Sequence, residues 1–227
     1  MADAGTDTPT RLRIDFVSDV VCPWCAIGLA SLEQALERTR GEVEADIHIH
    51  PFELNPQLGP EGEDAEEHLL RKYGMPAEQL AANQQAIVAR GAALGFTFDM
   101  DRRRRIYNTF DAHRLLHWAG EEGRQRELKH ALLRAYFTDG LDVSDHATLA
   151  AIAGKAGLPA DRAREILASD TYAREVRTIE GFWQQNGIRG VPAVIFERRH
   201  LVSGGQPVDV FERALRDIAA AAPHSEA

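Results

Sequence analysis

The stretch "DVVCPWCAIG" at residues 19–28 contains both cysteines of this 227-residue chain, Cys22 and Cys25. An alternating apolar run at residues 12–16 precedes it and predicts a β-strand, and a helical apolar pattern follows it. A second alternating run at residues 43–49 predicts another strand. A strand–helix–strand crossover usually places functional groups just beyond the carboxyl end of its first strand, which is where the two cysteines lie.

The two cysteines are predicted to differ in environment. Cys25 falls on the same helical stripe as Leu29 and should be buried. Proline is favoured at the first helical position, so Pro23 predicts that Cys22 is the N-cap. We expect the Cys22 side chain to be exposed and to accept hydrogen bonds from the amides of Trp24 and Cys25. The helix dipole at this position favours a thiolate, so Cys22 should be the more acidic thiol.

This asymmetry predicts dithiol–disulfide exchange, in which Cys22 attacks a disulfide and Cys25 resolves the mixed disulfide. Trp24 would add an apolar surface at the mouth of the site and contact substrate. The redox-active Cys22–Cys25 disulfide would then serve in place of a separate cofactor. Since a chain of this length can bury a core without disulfide bonds, the cysteines are not needed for stability.

A metal site is the main alternative use of a C-x-x-C pair. The motif would supply two zinc ligands, and a closed site needs two more. The sequence "HIH" offers His48 and His50 on one face of the second strand, but the alternation there favours a polar row facing solvent. We therefore expect no metal site. Two non-enzymatic alternatives remain for the cysteines: they could be inert buried thiols, or they could belong to a thiol-based module that binds metal or responds to stress.

Composition excludes several other classes of function. Lys and Arg number 26 against 35 Asp and Glu, which gives a net charge of −9 and argues against nucleic-acid binding. The basic run "RRRR" at residues 102–105 is interpreted as a solvated loop or helix start. The start "MADAGTDTPT" is polar and no stretch approaches the roughly 18 apolar residues of a membrane span. We expect no membrane association and a cytoplasmic location.

The rest of the chain divides by its pattern. Residues 63–186 show helical periodicity throughout, "VPAVIFERRHLVSGG" at 191–205 predicts a β-hairpin, and a last helix is predicted from about residue 207. The predicted fold class is α/β, with a βαβ unit and a ββα unit flanking a large helical block. As domains, residues 11–60 and 187–220 form one discontinuous unit and residues 61–186 an inserted all-helical one.

Four motifs in this order resemble the DsbA-like branch of the thioredoxin superfamily, and in particular its FrnE-type dithiol–disulfide oxidoreductases and isomerases. They are "DVVCPWCAIG", "NTFDAHRLLHWA" at 108–119, "GVPAVIF" at 190–196 and "VSGGQP" at 202–207. The resemblance implies a thioredoxin fold for the outer segments. It also implies dithiol–disulfide exchange or isomerisation, with protein or small-molecule disulfides as partners.

The resemblance assigns roles to Val191 and Pro192. It implies that the bond between them is cis and faces the C-x-x-C motif, which makes Pro192 part of the catalytic centre. A cis bond here would turn the backbone of Val191 outward, free to pair with an extended substrate beside Cys22. The alternative is a trans proline at the start of a strand.

The motif at 108–119 supplies two further candidates for substrate binding, Asn108 and His113. The face that carries His113 would cover the cleft over Cys22 and select what enters. For Asn108, together with Asp111, helix capping is the alternative. For His113 the alternative is a satisfied contact between helices.

The same architecture is found in 2-hydroxychromene-2-carboxylate isomerases and kappa-class glutathione transferases, which typically carry serine at the position of Cys22. A glutathione-dependent transferase or isomerase is therefore the alternative function, and glutathione a possible ligand. The intact pair of cysteines favours redox exchange. Asn55, in "FELNP", matches a region that contacts ligand in those relatives, although a turn before Pro56 also accounts for it.

Overall fold

A computed structural model describes residues 8–59 and 61–221. The composition of the first ten and last five residues predicts loose termini; of these, residues 1–7 and 223–227 lie outside the described residues, as do residues 60 and 222, and Thr10 begins the first strand. In chain order the elements are β1 (Thr10–Ser18), α1 (Pro23–Arg38), β2 (Val43–Pro51), β3 (Glu63–Asp64), α2 (Ala65–Tyr73), α3 (Ala77–Ala93), β4 (Arg105–Ile106), α4 (Phe110–Glu121), α5 (Gln125–Phe137), α6 (His146–Lys155), α7 (Ala160–Leu167), α8 (Ala173–Gln185), β5 (Ala193–Phe196), β6 (His200–Ser203) and α9 (Val208–Ala221).

The main sheet has the strand order β2-β1-β5-β6. β1 runs parallel to β2, with Ile14 opposite Ile47, and antiparallel to β5, with Phe16 opposite Val194. β5 and β6 form the predicted antiparallel hairpin. Because β1 is central and covered on both faces, six of its nine residues are buried, including all five from Ile14 to Ser18. This arrangement confirms the predicted α/β fold with a βαβ and a ββα unit.

The helices pack on this sheet through one large apolar cluster. It joins the buried residues of β1 and α1 to those of α4, α5, α6 and α7, and includes Phe211 and Leu215 of α9. The sheet and the helical block thus share a core, and the division into two domains stays a prediction. In the part of the chain that the structure describes, no helix is long and apolar enough to cross a membrane.

Residues 63–186 are mostly helical as predicted, apart from the loops between helices, a longer non-helical segment at residues 94–109 and one short strand pair. β3 and β4 form a two-residue antiparallel pair, with Glu63 opposite Ile106. Two interactions explain it. The Arg105 guanidinium donates to the carbonyl of Glu61, and Ile106 packs with Leu58 in a small apolar cluster of its own.

The outer edge of β2 is partly covered by a side chain from the helical block. The amide oxygen of Gln125, at the start of α5, accepts a hydrogen bond from the backbone N–H of Ile49 at 2.9 Å. The amide nitrogen of the same side chain donates to the carbonyl of Ile49 at 3.0 Å. Both backbone groups of this edge residue are therefore satisfied by one glutamine.

Candidate active site

Cys22 and Cys25 lie at the start of α1, just beyond the carboxyl end of β1. Pro23 occupies the first turn and Cys22 is the N-cap, as predicted. Cys25 is completely buried, also as predicted. The prediction that Cys22 is exposed is wrong, because only 4% of its surface is accessible. Access to Cys22 is instead through a cavity that it helps to line.

The Cys22 side chain is engaged with the segment before β5 rather than with its own helix. Its Sγ donates a hydrogen bond to the carbonyl oxygen of Val191 at 3.6 Å. It makes no side-chain capping bond to the first turn, so the predicted bonds from the Trp24 and Cys25 amides are absent from the described structure. In this structure the Cys22 thiol donates its hydrogen bond to the carbonyl of Val191. A thiolate cannot donate, so it would instead accept hydrogen bonds from the backbone amides of the first turn of α1.

The Val191–Pro192 bond is cis, as the resemblance implied. Two glycines allow this segment to approach α1. A Cβ placed on Gly28 would come 3.0 Å from Cγ of Pro192, and one placed on Gly205 would come 2.8 Å from the backbone oxygen of Trp24. The motifs "DVVCPWCAIG", "GVPAVIF" and "VSGGQP" therefore meet at Cys22, and larger residues at either glycine would push them apart.

A buried lysine lies near Cys25. Lys129, from α5, is completely buried, and its Nζ has no hydrogen-bond partner among the described residues. Burial lowers the pKa of Lys129, whereas negative charge at Cys25 and Asp19 acts in the opposite direction. Burial and the neighbouring Cys22 raise the pKa of the Cys25 thiol well above its usual range, and Lys129 opposes that rise.

Asp19, at the end of β1, is the buried acid of the site. Its carboxylate accepts hydrogen bonds from the backbone amides of Val20 at 2.7 Å and Leu54 at 2.8 Å. Nε2 of His113 lies 3.3 Å from the same carboxylate. Burial alone would raise the pKa of Asp19, but the hydrogen bond from His113 and the other donors outweigh it and the pKa is lowered. A charged carboxylate is thus held beneath the two cysteines.

A cavity of about 380 Å³ opens beside Cys22. Trp24, which is 36% exposed, and Val191 line it, and their contact with substrate stays a prediction. Its lining side chains include Asn55, whose Oδ1 accepts from Lys72 Nζ at 2.6 Å and lies 3.1 Å from Nε2 of His68. A volume of this size suits a small molecule or a few residues of an extended chain.

Asn108 and His113 are not among the residues that line this cavity. Asn108 is adjacent to the start of α4, where its Oδ1 accepts from the backbone amide of Phe110 at 2.9 Å. This supports the capping interpretation, shifted by one residue because Thr109 is the N-cap. His113 points to Asp19 on the inner side of the site and is buried. The expectation that the face carrying His113 covers the cleft over Cys22 is therefore wrong, and substrate binding by Asn108 stays a prediction.

The histidines of the second strand are each paired with an acid. His48 lies 3.1 Å from Asp46, and His50 lies 2.7 Å from the buried carboxylate of Asp15. Burial would raise the pKa of Asp15, but hydrogen bonds from His50 and Arg13 outweigh it and lower that pKa to about 2. Among residues 8–59 and 61–221, no group of three or more His, Cys, Asp or Glu side chains is placed to hold a metal ion.

Sequence reasoning missed four charged residues of the site: Asp19, Lys72, Arg103 and Lys129. Lys129 gave a signal that could have been used, since it shares a helical stripe with Leu132, Leu133 and Tyr136 and so falls on the apolar face of α5. Arg103 belongs to the basic run at 102–105, which was interpreted as solvated. That interpretation is wrong for Arg103, which is buried and lines the cavity.

Comparisons with known proteins agree with this geometry. The crystal structure of a "probable DsbA oxidoreductase" from Streptomyces coelicolor has a TM-score of 0.88 and 36% identity, covering 95% of this chain and 93% of that one. YwbO of Bacillus subtilis is 27% identical over 207 residues, which are 91% of this chain and 96% of YwbO. The cytosolic disulfide reductase DsbM from Pseudomonas aeruginosa, in a structure with GSH, has a TM-score of 0.65 at 16% identity, covering 92% of this chain and 100% of DsbM, and shows a similar fold.

The match to a family extends over most of the sequence. Residues 13–216 match the DSBA-like thioredoxin domain, a span that includes Cys22, Cys25 and the Val191–Pro192 segment. The chain belongs to the family of DSBA-like thioredoxin domains.

Proposed function

We propose that this protein is a cytoplasmic thiol–disulfide oxidoreductase of the FrnE type, which exchanges electrons with small-molecule or protein disulfides through Cys22 and Cys25. One observation carries the proposal. Cys22 lines the cavity with its sulfur 3.6 Å from the carbonyl of Val191, and Cys25 lies completely buried behind it. The similarity in fold to DsbM, a cytosolic disulfide reductase, supports both the reaction and the location.

The exchange follows from this placement. The Cys22 thiolate bonds to one sulfur of a substrate disulfide, whose S–S bond breaks to release a thiolate. The Cys25 thiolate then attacks the Cys22 sulfur and releases the second substrate thiolate. The protein is left with the Cys22–Cys25 disulfide, and two electrons have passed to the substrate. Water or the released thiolates take up the two protons that the cysteine thiols lost. A thiol reductant such as glutathione or a dithiol reverses the process and restores the protein.

Resolution requires that Cys25 lose its proton inside the fold. In the mixed disulfide Cys22 no longer carries charge, so its contribution to the raised pKa of Cys25 disappears. Of the remaining influences, burial raises that pKa, whereas the positive charge of Lys129 and a hydrogen bond with the backbone of Asp19 lower it. We therefore assign to Lys129 the role of stabilising the negatively charged thiolate of Cys25 through its own positive charge.

Replacing Lys129 with Met tests this role. We expect release of the second thiol to slow by roughly tenfold at neutral pH for each unit by which the pKa of Cys25 rises. The pH profile of that step should move to higher pH. The free energy of unfolding should change little, because the Nζ of Lys129 has no hydrogen-bond partner among the described residues but is attracted by the Asp19 carboxylate, and these two effects oppose each other.

The control for this test is Lys155→Met, which removes an exposed lysine and should change neither property. Stopped-flow measurement of thiol release between pH 6 and 9, about the range where thiols titrate, gives the profile. An unchanged profile in Lys129→Met would exclude the assigned role.

The overall function is tested with oxidised glutathione. Mass spectrometry of the reduced protein, after one equivalent of oxidised glutathione, should show the Cys22–Cys25 disulfide and two released glutathione molecules. A transferase would instead conjugate glutathione to an electrophile such as 1-chloro-2,4-dinitrobenzene, and would do so without Cys25. Conjugation by Cys25→Ala at the wild-type rate, with no disulfide exchange by the wild type, would overturn the proposal.

A further inference from the structure

The cavity beside Cys22 has an uneven charge. Lys72 and Arg103 both line it, and none of its described lining residues is Asp or Glu. This is unexpected in a chain with a net charge of −9, in which most exposed arginines have a carboxylate close by. The two cations are thus a local feature of the cavity and not part of a generally basic surface.

Arg103 is the more informative of the two. It is 6% exposed, and its Nε is buried with no hydrogen-bond partner among the described residues. Its guanidinium also forms no ion pair within residues 8–59 and 61–221, whereas its neighbour Arg102 is paired with Asp99. A buried charge without a partner is costly in free energy, and it is retained where something else supplies the opposite charge.

No Asp or Glu among the described residues pairs with Arg103, although the Asp19 carboxylate acts electrostatically on Lys72 and Tyr136 nearby. Tyr136 lies within reach of Arg103, but burial raises the pKa of this phenol to about 12, although Arg103 acts in the opposite direction. Tyr136 is therefore neutral, and its hydroxyl donates to the carbonyl of Arg105 at 2.9 Å. Lys72 is bonded to the uncharged carbonyl of Leu54 at 2.9 Å and to the amide of Asn55.

The remainder of the cavity wall is largely apolar. Its apolar part includes Leu54, Leu80, Ile87, Met100, Ile106 and the ring of Trp24, and the uncharged polar residues Asn55, Asn83 and Gln84 also line the cavity, as does His68. A ligand that matches this wall has an apolar body with a single anionic end. The planar fork of one arginine fits a carboxylate with two parallel hydrogen bonds.

We propose that Arg103 is the anchor of a carboxylate-binding subsite, and that the cavity takes low-molecular-weight disulfides with an apolar body and a carboxylate, delivering their sulfur to Cys22. Lys72 adds positive charge at the mouth of the same cavity. This inference rests on the proposed function, since the subsite is defined by its position relative to Cys22. The exchange itself consumes one disulfide and the two cysteine thiols, and yields two substrate thiols and the Cys22–Cys25 disulfide.

The test compares two aromatic disulfides of similar size. 5,5′-Dithiobis(2-nitrobenzoate) carries one carboxylate on each ring, and 2,2′-dithiobis(5-nitropyridine) carries none. Rate constants for reduced wild type, Arg103→Met and Arg104→Met are measured from the absorbance of the released thiols. Arg104→Met is the matched control, because it removes the same charge from an exposed neighbour that does not line the cavity.

The ratio of the two rate constants, anionic over neutral, is the readout. In Arg103→Met we expect this ratio to fall by roughly 10- to 100-fold, as for loss of a hydrogen bond to a charged group. In Arg104→Met it should stay at the wild-type value. A ratio that is unchanged in Arg103→Met, or that falls equally in Arg104→Met, would overturn the subsite.

Binding without exchange separates this inference from the proposed function. The affinities of 4-nitrobenzoate and 4-nitrobenzamide are measured by calorimetry on wild type, Arg103→Met and Arg103→Lys. Wild type should prefer the carboxylate by at least about tenfold, and Arg103→Lys should keep part of that preference. Equal affinity of wild type for the two probes would overturn the subsite even if Arg103→Met fails to fold. If neither disulfide reacts at Cys22 but the preference is present, the proposed function fails and the subsite stands.

Discussion

The Cys22→Ser variant is expected to reduce disulfides no faster than the uncatalysed background. A serine hydroxyl at this position has neither the acidity nor the nucleophilicity of a thiol. Cys25 lies completely buried and is absent from the residues that line the cavity, so it cannot replace Cys22 in the first attack. Insulin or an aromatic disulfide, with dithiothreitol as reductant, provides the assay.

Cys25→Ser is the matched variant and should behave differently. Its Cys22 still attacks, but nothing resolves the product, so the mixed disulfide with substrate accumulates to nearly one equivalent. Non-reducing gels and mass spectrometry distinguish the two variants. A mixed disulfide trapped through Cys25 in the Cys22→Ser variant would reverse the assigned roles.

Asp19→Ala should lower the free energy of unfolding by about 3–5 kcal/mol. The change removes the carboxylate that accepts from the amides of Val20 and Leu54 and from His113, and it leaves Lys129 without an opposite charge nearby. Asp19→Asn should cost less, because its side-chain oxygen still accepts hydrogen bonds. Urea unfolding followed by tryptophan fluorescence gives the values.

The pH dependence of this effect has a definite sign. The pKa of Asp19 is lowered in the folded protein, so its ionisation stabilises the fold above the unfolded value of about 3.9. The difference between wild type and Asp19→Asn should therefore be largest near neutral pH and shrink as the pH falls below about 4. Asp209→Ala, at an exposed position in the first turn of α9, should cost less than about 1 kcal/mol. Equal losses in Asp19→Ala and Asp209→Ala would contradict the role of Asp19.

The sequence predicted the start of α1 well because local rules decide it. Pro23 specifies the first turn, which leaves Cys22 at the N-cap, and the stripe through Cys25 specifies burial. The β-hairpin around residues 193–203 was likewise readable from its apolar runs. The cis bond before Pro192 came only from the resemblance, since nothing in the local sequence distinguishes a cis from a trans proline there.

The residues that surround the cysteines depend on long-range packing and could not be predicted in the same way. The face carrying His113 was expected over the cleft, but the His113 side chain lies 3.3 Å from the buried carboxylate of Asp19, a contact between distant parts of the chain. Arg103 lies in a basic run typical of solvent-exposed segments, but it is buried and lines a cavity together with residues of α2 and α3. Exposure of Cys22 was overestimated because the segment at Val191 covers it.

The pairing of Gln125 with Ile49 has a consequence for the behaviour of the sheet in solution. An open edge strand offers its unpaired N–H and C=O groups to any other chain, and proteins generally block such edges against aggregation. The glutamine amide satisfies both groups of Ile49, as one residue of an added antiparallel strand would. At the end of β2 nearest the cysteines, the helical block therefore terminates the sheet and protects this edge from growth by a fifth strand.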